Sequence, residues 1–394
     1  MSFLNLFAFP DFNIYSTPLL VLVLQGMVFV VLLLFKYFQH RNPSHLILSL
    51  ILLLVCYQQI CYTVGFMGWY NEFRTTKINY WLMPISLALA PLIYFYVKSV
   101  TTSKFIFRKK DLWHFALAFL LISFRVFIYT YDSMQPGFDE TQNGVLKLAA
   151  DEAIVQPILV FLDFAVTLLY LAFTFQLFYN YRSKIQQYFS NTYKLELNWV
   201  LSFLVSFAVL FLYSTIQTLI NVAITELSYV QQWWLNLLMA VITLYIGIRG
   251  YFTNTTKLKK LKFSFTPNPL SIPQEEKSVQ IADTEVKKVA DFMEEEKPYL
   301  NPDLNLSDLA DALEMNRAQL SQVINSGFQK NFNDFVNSYR VEAIKEKLNA
   351  GSHEQLSLLG IAYDCGFNSK ATFNRVFKKL TQTSPSEYLN TLSN

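Results

Sequence analysis

The stretch LLGIAYDCGFNSKATFNRVFKKLTQTSPSEY, residues 358–388, has the spacing of two short helices joined by a tight turn. Its apolar residues recur at helical spacing up to Gly366, where a left-handed turn is least costly for a residue without a side chain. Phe367 then closes the turn, and either Asn368 or Ser369 is expected to cap the second helix. This spacing is typical of a helix-turn-helix.

The second helix of this stretch is predicted to have two different faces. The apolar residues at i, i+3, i+4 and i+7 are expected to point inward, and they are Phe373, Val376, Phe377 and Leu380. The outward face carries Lys370, Ala371, Asn374, Arg375 and Lys378. Arg and Lys bond guanine acceptors, Asn bonds adenine, and Ala contacts the thymine methyl group. The outward face is therefore typical of a recognition helix in a DNA major groove.

A second copy of the pattern lies upstream in LSDLADALEMNRAQLSQVIN, residues 306–325. Ala310 takes the tightly packed position, Met315 closes the turn, and Asn316 is the expected cap. The inward residues of its second helix are Leu320, Val323 and Ile324, and the outward residues are Arg317, Ala318, Ser321 and Gln322. One such pattern is a weak signal because small amphipathic helix pairs are common. Two copies favour DNA binding over a purely structural helical bundle.

A helix from about Phe332 to Asn349 is predicted to join the two units. Its buried stripe is expected to be Phe332, Phe335, Tyr339 and Ala343. A rigid joining helix fixes the separation of the two recognition helices, and successive major-groove faces on one side of B-DNA lie about 34 Å apart. Lys330 and Lys379 are expected to contact phosphates.

These residues resemble the DNA-binding domain of the AraC/XylS family of bacterial transcription regulators. The resemblance rests on IAxxxGFNSxxxFNRxFKK at 361–379, SPSEY at 384–388 and NSYRVEAIKEKL at 337–348. It departs from the family at Gln382, where Gly is usual, and at Leu389, where Arg is usual. The resemblance implies base-facing roles for Ala318, Ser321 and Gln322 in the first unit and for Lys370, Ala371, Asn374 and Arg375 in the second.

The composition of the chain points to a membrane protein. Hydrophobic residues make up 53% and charged residues 15% of the 394 residues, whereas a soluble domain has about 25% charged residues. The apolar excess lies in seven runs long enough to cross a bilayer, 18–38, 44–64, 78–97, 112–131, 154–178, 199–224 and 230–252. The alternative, a large soluble core, requires seven helices that are apolar on all sides.

The basic residues of the loops predict the orientation in the membrane. With the N-terminus outside, the inner loops hold fifteen Lys and Arg, whereas the outer loops hold only Arg74, Lys77 and Lys147. No cleavable signal peptide is expected, because no basic residue precedes the first run. The prediction is an outer N-terminus and a cytoplasmic C-terminus in the bacterial inner membrane.

Two ionisable residues, Arg125 and Asp163, lie deep in the fourth and fifth apolar runs. Because those runs are antiparallel, both residues are expected in the outer half, within about 5 Å of the same depth. A lone charge there costs about 2.5 to 3.5 kcal/mol, which favours an intramembrane pair. The alternative is that each side chain reaches water separately.

Sites for catalysis are not apparent in the sequence. The four His and three Cys have no zinc spacing, and there is no phosphate loop or nucleophile elbow, so no catalytic residue, metal or cofactor is expected. The long outer loop, 132–153, is acidic and suits a cationic ligand. The positive-inside bias alone accounts for that acidity and is the preferred explanation.

The predicted fold is all-α and has three parts. Residues 1–252 form a bundle of seven transmembrane helices, 253–282 form a polar linker, and 283–394 form a cytoplasmic AraC-type domain of two helix-turn-helix units joined by a long helix. The predicted function is a one-component transcription regulator in the lipid bilayer that binds double-stranded DNA, either alone or as a homodimer. A small molecule or an envelope signal would control it. Two alternatives stay open: the membrane part is only an anchor, or it is a transporter or enzyme with a regulatory DNA-binding tail.

Overall fold

The computed structural model describes residues 12–72, 77–83, 85–102, 105–192, 195–253 and 283–392. These residues are helical with no strand among them, which confirms the all-α class. The chain divides into two compact units. The first comprises Met1–Phe178 and Asn198–Pro269, and the second comprises Tyr179–Leu197 and Leu270–Asn394. Of the linker predicted at 253–282, only Thr253 lies among the described residues.

Seven helical stretches among the described residues are long and apolar enough to cross a membrane. They are Ser16–His40, Pro43–Phe66, Ile78–Thr101, Lys109–Ser133, Lys147–Tyr188, Asn198–Ala223 and Tyr229–Phe252. Each stretch overlaps one of the seven predicted runs. The fifth is much longer than its predicted run, because it begins with a π-helix at Lys147–Val155 and continues through polar residues to Tyr188. A run predicted from hydropathy ends where the apolar residues end. The helix itself can continue beyond that point, because Arg, Lys and Gln have good helix propensity.

The first unit contains nine α-helices within the described residues. In chain order they are α1 Ser16–His40, α2 Pro43–Phe66, α3 Trp69–Glu72, α4 Ile78–Trp81, α5 Leu89–Thr101, α6 Ala116–Ser133, α7 Gln156–Tyr188, α8 Asn198–Ala223 and α9 Tyr229–Phe252. The last ten residues of α7, from Tyr179 onward, belong to the second unit.

Small residues let the helices of the first unit approach one another closely. A Cβ added to Gly26 of α1 would lie 2.6 Å from Cys56 Sγ of α2, and one added to Gly250 of α9 would lie 2.3 Å from Leu48 of α2. Helices that associate in an apolar solvent depend on this kind of close packing, because burial of apolar surface gives them little driving force. Cys56 is a buried packing residue here, as its lack of zinc spacing indicated.

The second unit contains seven α-helices among its described residues. They are α10 Asp283–Glu295, α11 Leu306–Ala312, α12 Arg317–Gln322, α13 Phe332–Asn349, α14 Leu358–Asp364, α15 Lys370–Thr381 and α16 Pro385–Leu392. The pairs α11–α12 and α14–α15 are the two helix-turn-helix units, and α13 has the bounds predicted for the joining helix.

The two helix-turn-helix units share the same turn geometry. The N–H of Met315 donates to the carbonyl of Ala310 at 2.9 Å, and the N–H of Phe367 donates to that of Ala362 at 3.0 Å. The residue before each donor is left-handed: Glu314 has a φ of 53°, and Gly366 has a φ of 89°. Gly366 also has no room for a side chain, since a Cβ there would lie 2.3 Å from the carbonyl oxygen of Tyr299.

The end of α15 differs from the prediction. Phe373, Val376 and Phe377 are buried as expected, but Leu380 is 38% exposed, so its inward assignment is wrong. Helical periodicity assumes a neighbouring surface along the whole helix, and α15 ends at Thr381. Gln382 then adopts the left-handed conformation with a φ of 62°. That conformation costs a residue with a side chain roughly 1–2 kcal/mol, which explains why Gly suits the position.

Helix α13 takes part in two hydrophobic cores. Its first half contributes Phe332, Phe335 and Val336 to the core of α10, α11 and α12. Its second half contributes Val341, Ile344 and Leu348 to the core of α14 and α15. The predicted stripe is therefore only partly correct. Tyr339 and Ala343 are half-buried, and the fully buried residues of α13 lie on more than one side of the helix.

Arg340 lies buried in α13 with 1% of its surface exposed. Its Nε donates to the carbonyl of Tyr299 at 2.7 Å, and its Nη2 donates to that of Asn301 at 2.8 Å. Its guanidinium lies 5.8 Å from the ring centroid of Phe367. Burial lowers the pKa of Arg340 to about 10, so the guanidinium is charged at neutral pH. Arg340 thus ties the turn before α11 to the turn of the second helix-turn-helix.

We expect Arg340→Met to lower the free energy of unfolding of α13 by about 3 kcal/mol, because buried carbonyls would lose their donors. Hydrogen exchange of the full-length chain in detergent, read by mass spectrometry on peptides of α13, measures this change. Lys345→Met is the control on the exposed side of the same helix, where the change should stay within about 0.5 kcal/mol. Equal exchange in the two variants would contradict the role given to Arg340.

Candidate nucleic-acid interface

Both recognition helices begin with a side-chain cap. The N–H of Ala318 donates to Oδ1 of Asn316 at 3.0 Å at the start of α12. The N–H of Thr372 donates to Oγ of Ser369 at 3.1 Å at the start of α15. Of the two caps considered for α15, Ser369 is therefore the one used. The N-terminal end of a helix carries a partial positive charge from its free N–H groups, which suits an approach to phosphate.

The outward residues predicted for the two recognition helices lie on their outer faces. The exposed ones are Arg317, Ala318, Lys370, Ala371, Asn374, Arg375 and Lys378, and the half-buried ones are Ser321 and Gln322. The inward residues Leu320, Val323 and Ile324 are buried at 0 to 1% exposure. The division between core and outer face is therefore the one that DNA contact requires.

The two lysines expected at phosphates are exposed and already have partners. Lys330 Nζ donates to Ser338 Oγ at 3.0 Å. Lys379 Nζ forms an ion pair with Asp334 at 2.7 Å. Surface pairs of this kind contribute about 0.2–1 kcal/mol, so a phosphate group can replace either partner.

Arg375 of α15 forms an ion pair that the sequence did not indicate. Its Nη2 lies 3.0 Å from Oε1 of Glu196, a residue of the same compact unit that precedes α8. The other carboxylate oxygen of Glu196 lies 3.1 Å from Nη2 of Arg182, and Thr192 Oγ1 donates to Oε1 at 2.7 Å. The Glu196 side chain is 4% exposed, whereas that of Arg375 is 51% exposed.

The charge on Glu196 is maintained by its neighbours. Burial raises the pKa of this carboxyl, but the hydrogen bond from Thr192 and the charges of Arg375 and Arg182 outweigh that effect. The net result is a pKa below the ordinary value for glutamate. Glu196 is therefore a carboxylate at neutral pH.

Glu196 belongs to a segment that packs into the second unit, which we call the docking segment (residues 179–192 and 195–197). Its Ser190 is fully buried and is bound through backbone and side chain. The N–H of Ser190 donates to the carbonyl of Leu304 at 3.2 Å, and its hydroxyl donates to the same carbonyl at 2.6 Å. Tyr188 shares a hydrogen bond of 2.6 Å with Ser307 at the start of α11.

A polar stripe on α13 receives the docking segment. Asn333 Nδ2 donates to the carbonyl of Ser190 at 2.7 Å, and Arg340 Nη2 donates to Ser190 Oγ at 3.2 Å. Asn337 lies between them, with 1% exposure and an Nδ2 donor 3.4 Å from the same carbonyl. Sequence reasoning missed these residues. Their i, i+4, i+7 spacing on a helix with an apolar stripe was the available signal for a second contact surface.

The intramembrane pair predicted between Arg125 and Asp163 is corrected by the structure. The carboxylate within ion-pair distance of Arg125 is Asp151, at 3.9 Å, and Lys147 lies 3.3 Å from the same carboxylate. Asp163 lies beside the side chain of Ser86 instead. The prediction failed because the chain between α6 and α7 turns into a π-helix, Lys147–Val155, that brings Asp151 within reach of Arg125 in α6.

The acidic loop at 132–153 is also partly structural. Asp132 is fully buried and accepts bonds from the Tyr80 hydroxyl at 2.8 Å and from the N–H groups of Leu146 and Lys147. It therefore caps the helical stretch that leads into α7. No group of three or more His, Cys, Asp and Glu that could hold a metal occurs in the part of the chain that the structure describes.

Comparisons with known proteins agree with this geometry. The family described as "Helix-turn-helix domain" matches residues 309–391. Relatives in Staphylococcus aureus strains COL and MSSA476, both described as uncharacterized HTH-type transcriptional regulators, are 30% identical over 106 residues. The matched part is 27% of this chain, and the chain spans 13% of the length of these relatives. No solved structure matches the chain significantly.

The matched residues contain both recognition helices and all of α13. The resemblance found in the sequence motifs is thereby confirmed for this part of the chain. The C-terminal part of this chain carries an AraC-type helix-turn-helix domain.

Proposed function

We propose that the protein is a transcription regulator of the bacterial inner membrane that binds specific double-stranded DNA through α12 and α15. The observation that carries this proposal is the pair of capped helices with polar outer faces, both packed on α13. A shared rigid helix keeps two recognition helices at one separation, as successive major grooves require.

In this proposal the outer faces divide into base and phosphate contacts. Lys370, Asn374 and Arg375 of α15 have the donors and acceptors to contact base edges, and Ser321 and Gln322 do so from α12. Lys330 and Lys379 contact the DNA backbone and position the domain. Arg317, Ala318, Ala371 and Lys378 complete the two faces.

The charge distribution supports specific rather than indiscriminate binding. Residues 283–394 hold twelve Lys and Arg and sixteen Asp and Glu, so the domain as a whole is acidic. From Asn316 onward there are nine basic and six acidic residues. The positive charge is thus concentrated on the part that carries the recognition helices, which favours one mode of approach to DNA.

The membrane location rests on length, composition and charge. Seven stretches have the length and hydropathy of membrane spans, and the basic residues of the loops favour a cytoplasmic C-terminus. That orientation places the DNA-binding domain in the compartment that contains the DNA.

An unidentified small molecule or envelope signal would act on the membrane part. The contacts of the docking segment with the helix-turn-helix domain favour a sensor over a passive anchor.

We expect Lys370→Ala to lower the affinity for a specific duplex by about 1–3 kcal/mol and to relax base preference at one position. Lys330→Ala should weaken binding to all sequences alike and reduce the salt slope by about one. Titrations of full-length protein in detergent at several salt concentrations, against the duplex it selects from a randomised library, measure both effects. Equal effects on specificity and on salt slope from the two variants would refute the assignment.

The orientation has its own test. We expect a reporter that is active only in the cytoplasm to work when fused after Asn394 and to fail when inserted near Gly137, which lies in the outer loop of the proposed topology. A second reporter that is active only outside the membrane should give the opposite pattern at the same two positions. The reverse outcome would rule out the proposed topology.

A further inference from the structure

We propose that the docking segment is an inhibitory clamp on the second recognition helix. In this clamp, Glu196 binds the Arg375 guanidinium and competes with DNA for that guanidinium. This inference rests on the proposed function and adds a means of regulation to it.

The docking segment binds the helix-turn-helix domain at a formed site. Asn333, Asn337 and Arg340 are 8%, 1% and 1% exposed, and all three donate to the backbone or hydroxyl of Ser190. Phe189 forms an antiparallel bridge with Asn305, the residue that caps α11. The segment therefore holds both the joining helix and the start of the first helix-turn-helix.

Glu196 and DNA need the same donor, Nη2 of Arg375. A guanidinium bonds a carboxylate with the same N–H groups that it would use for a guanine edge or a phosphate. While Nη2 of Arg375 lies 3.0 Å from Glu196, that donor is not available to a base. Arg375 is half-exposed and Glu196 is buried, so the arginine is the partner that can turn away.

Glu196 is held in place by other residues of the docking segment. Arg182, on the last turns of α7, binds its second oxygen at 3.1 Å, and Thr192 binds its first at 2.7 Å. Tyr181 of α7 also donates to the carbonyl of Leu195 at 2.8 Å. The carboxylate is therefore fixed by the chain that leaves α7 and enters α8.

The docking segment joins α7 to α8 along the chain. The docking segment begins within α7 and ends one residue before Asn198, where α8 begins. In the proposed function both helices cross the membrane. A signal that shifts α7 or α8 changes the position of Arg182 and Glu196, releases Arg375 and raises affinity for DNA. A ligand can shift this equilibrium only by its difference in affinity for the two states.

The test uses the full-length chain in detergent and the duplex that the wild-type chain selects from a randomised library. Glu196→Gln keeps the shape of the side chain but removes its charge, and we expect it to raise affinity about 3- to 10-fold, the effect of losing one competing charge pair. Glu342→Gln is the matched control, because Glu342 pairs with Lys345 on an exposed turn of α13. It should change affinity less than about twofold.

A double-mutant cycle separates the clamp from a general charge effect. In an Arg375→Ala background Glu196 has no guanidinium on α15 to bind, so Glu196→Gln should leave the affinity for DNA unchanged. An equal gain in both backgrounds would mean that removing any negative charge near DNA is sufficient, and it would overturn the proposal. Lower or unchanged affinity for Glu196→Gln in the wild-type background would overturn it as well.

Asn333→Ala provides a second route if Glu196→Gln fails to fold, as judged by hydrogen exchange of α15. It removes hydrogen bonds to the docking segment without changing any charge. We expect its affinity for DNA to rise, and an unchanged affinity for the folded variant would overturn the clamp. A wild-type chain that selects no duplex would instead overturn the proposed function, so the two failures are distinguishable.

Discussion

The buried guanidinium of Arg340 is the interaction on which the second unit depends. It binds the carbonyls of Tyr299 and Asn301, and it also reaches Ser190 of the docking segment. A buried charge is tolerated only when its donors are used, and here two chain segments, the turn before α11 and the docking segment, supply the acceptors. The close packing at Gly366 follows from the same contact, because a Cβ there would lie 2.9 Å from Arg340 Nε. One side chain thus sets the spacing of α13, the turn before α11 and the second helix-turn-helix.

Most of the C-terminal fold could be predicted because its determinants are local. The cap Asn316, the left-handed turn at Gly366 and the bounds of α13 all follow from residues a few positions apart, whereas the sequence left Asn368 and Ser369 open as caps of α15. Local propensity, apolar periodicity and turn chemistry agree in this part of the chain, which is the condition under which sequence patterns specify structure. The seven apolar stretches were predictable for the same reason, since length and hydropathy are properties of a single run.

What sequence reasoning missed depends on contacts between distant residues. Arg340 and Ser190 are 150 residues apart, and no local pattern links them. Arg375 was correctly placed on the outer face of α15, but its partner Glu196 lies in a loop that composition assigns to the membrane part. The predicted partner of Arg125 was wrong for a related reason. Comparing the depths of residues along two helices takes no account of a loop that folds back and places Asp151 beside Arg125.

In the proposed function, both helix-turn-helix units contact one face of DNA at the same time. Hydroxyl-radical footprinting of the full-length chain on its selected duplex measures whether they do. We expect two protected patches on one face of the duplex, one helical turn or about 10 base pairs apart. A single protected patch, or protection spread evenly along the duplex, would contradict it.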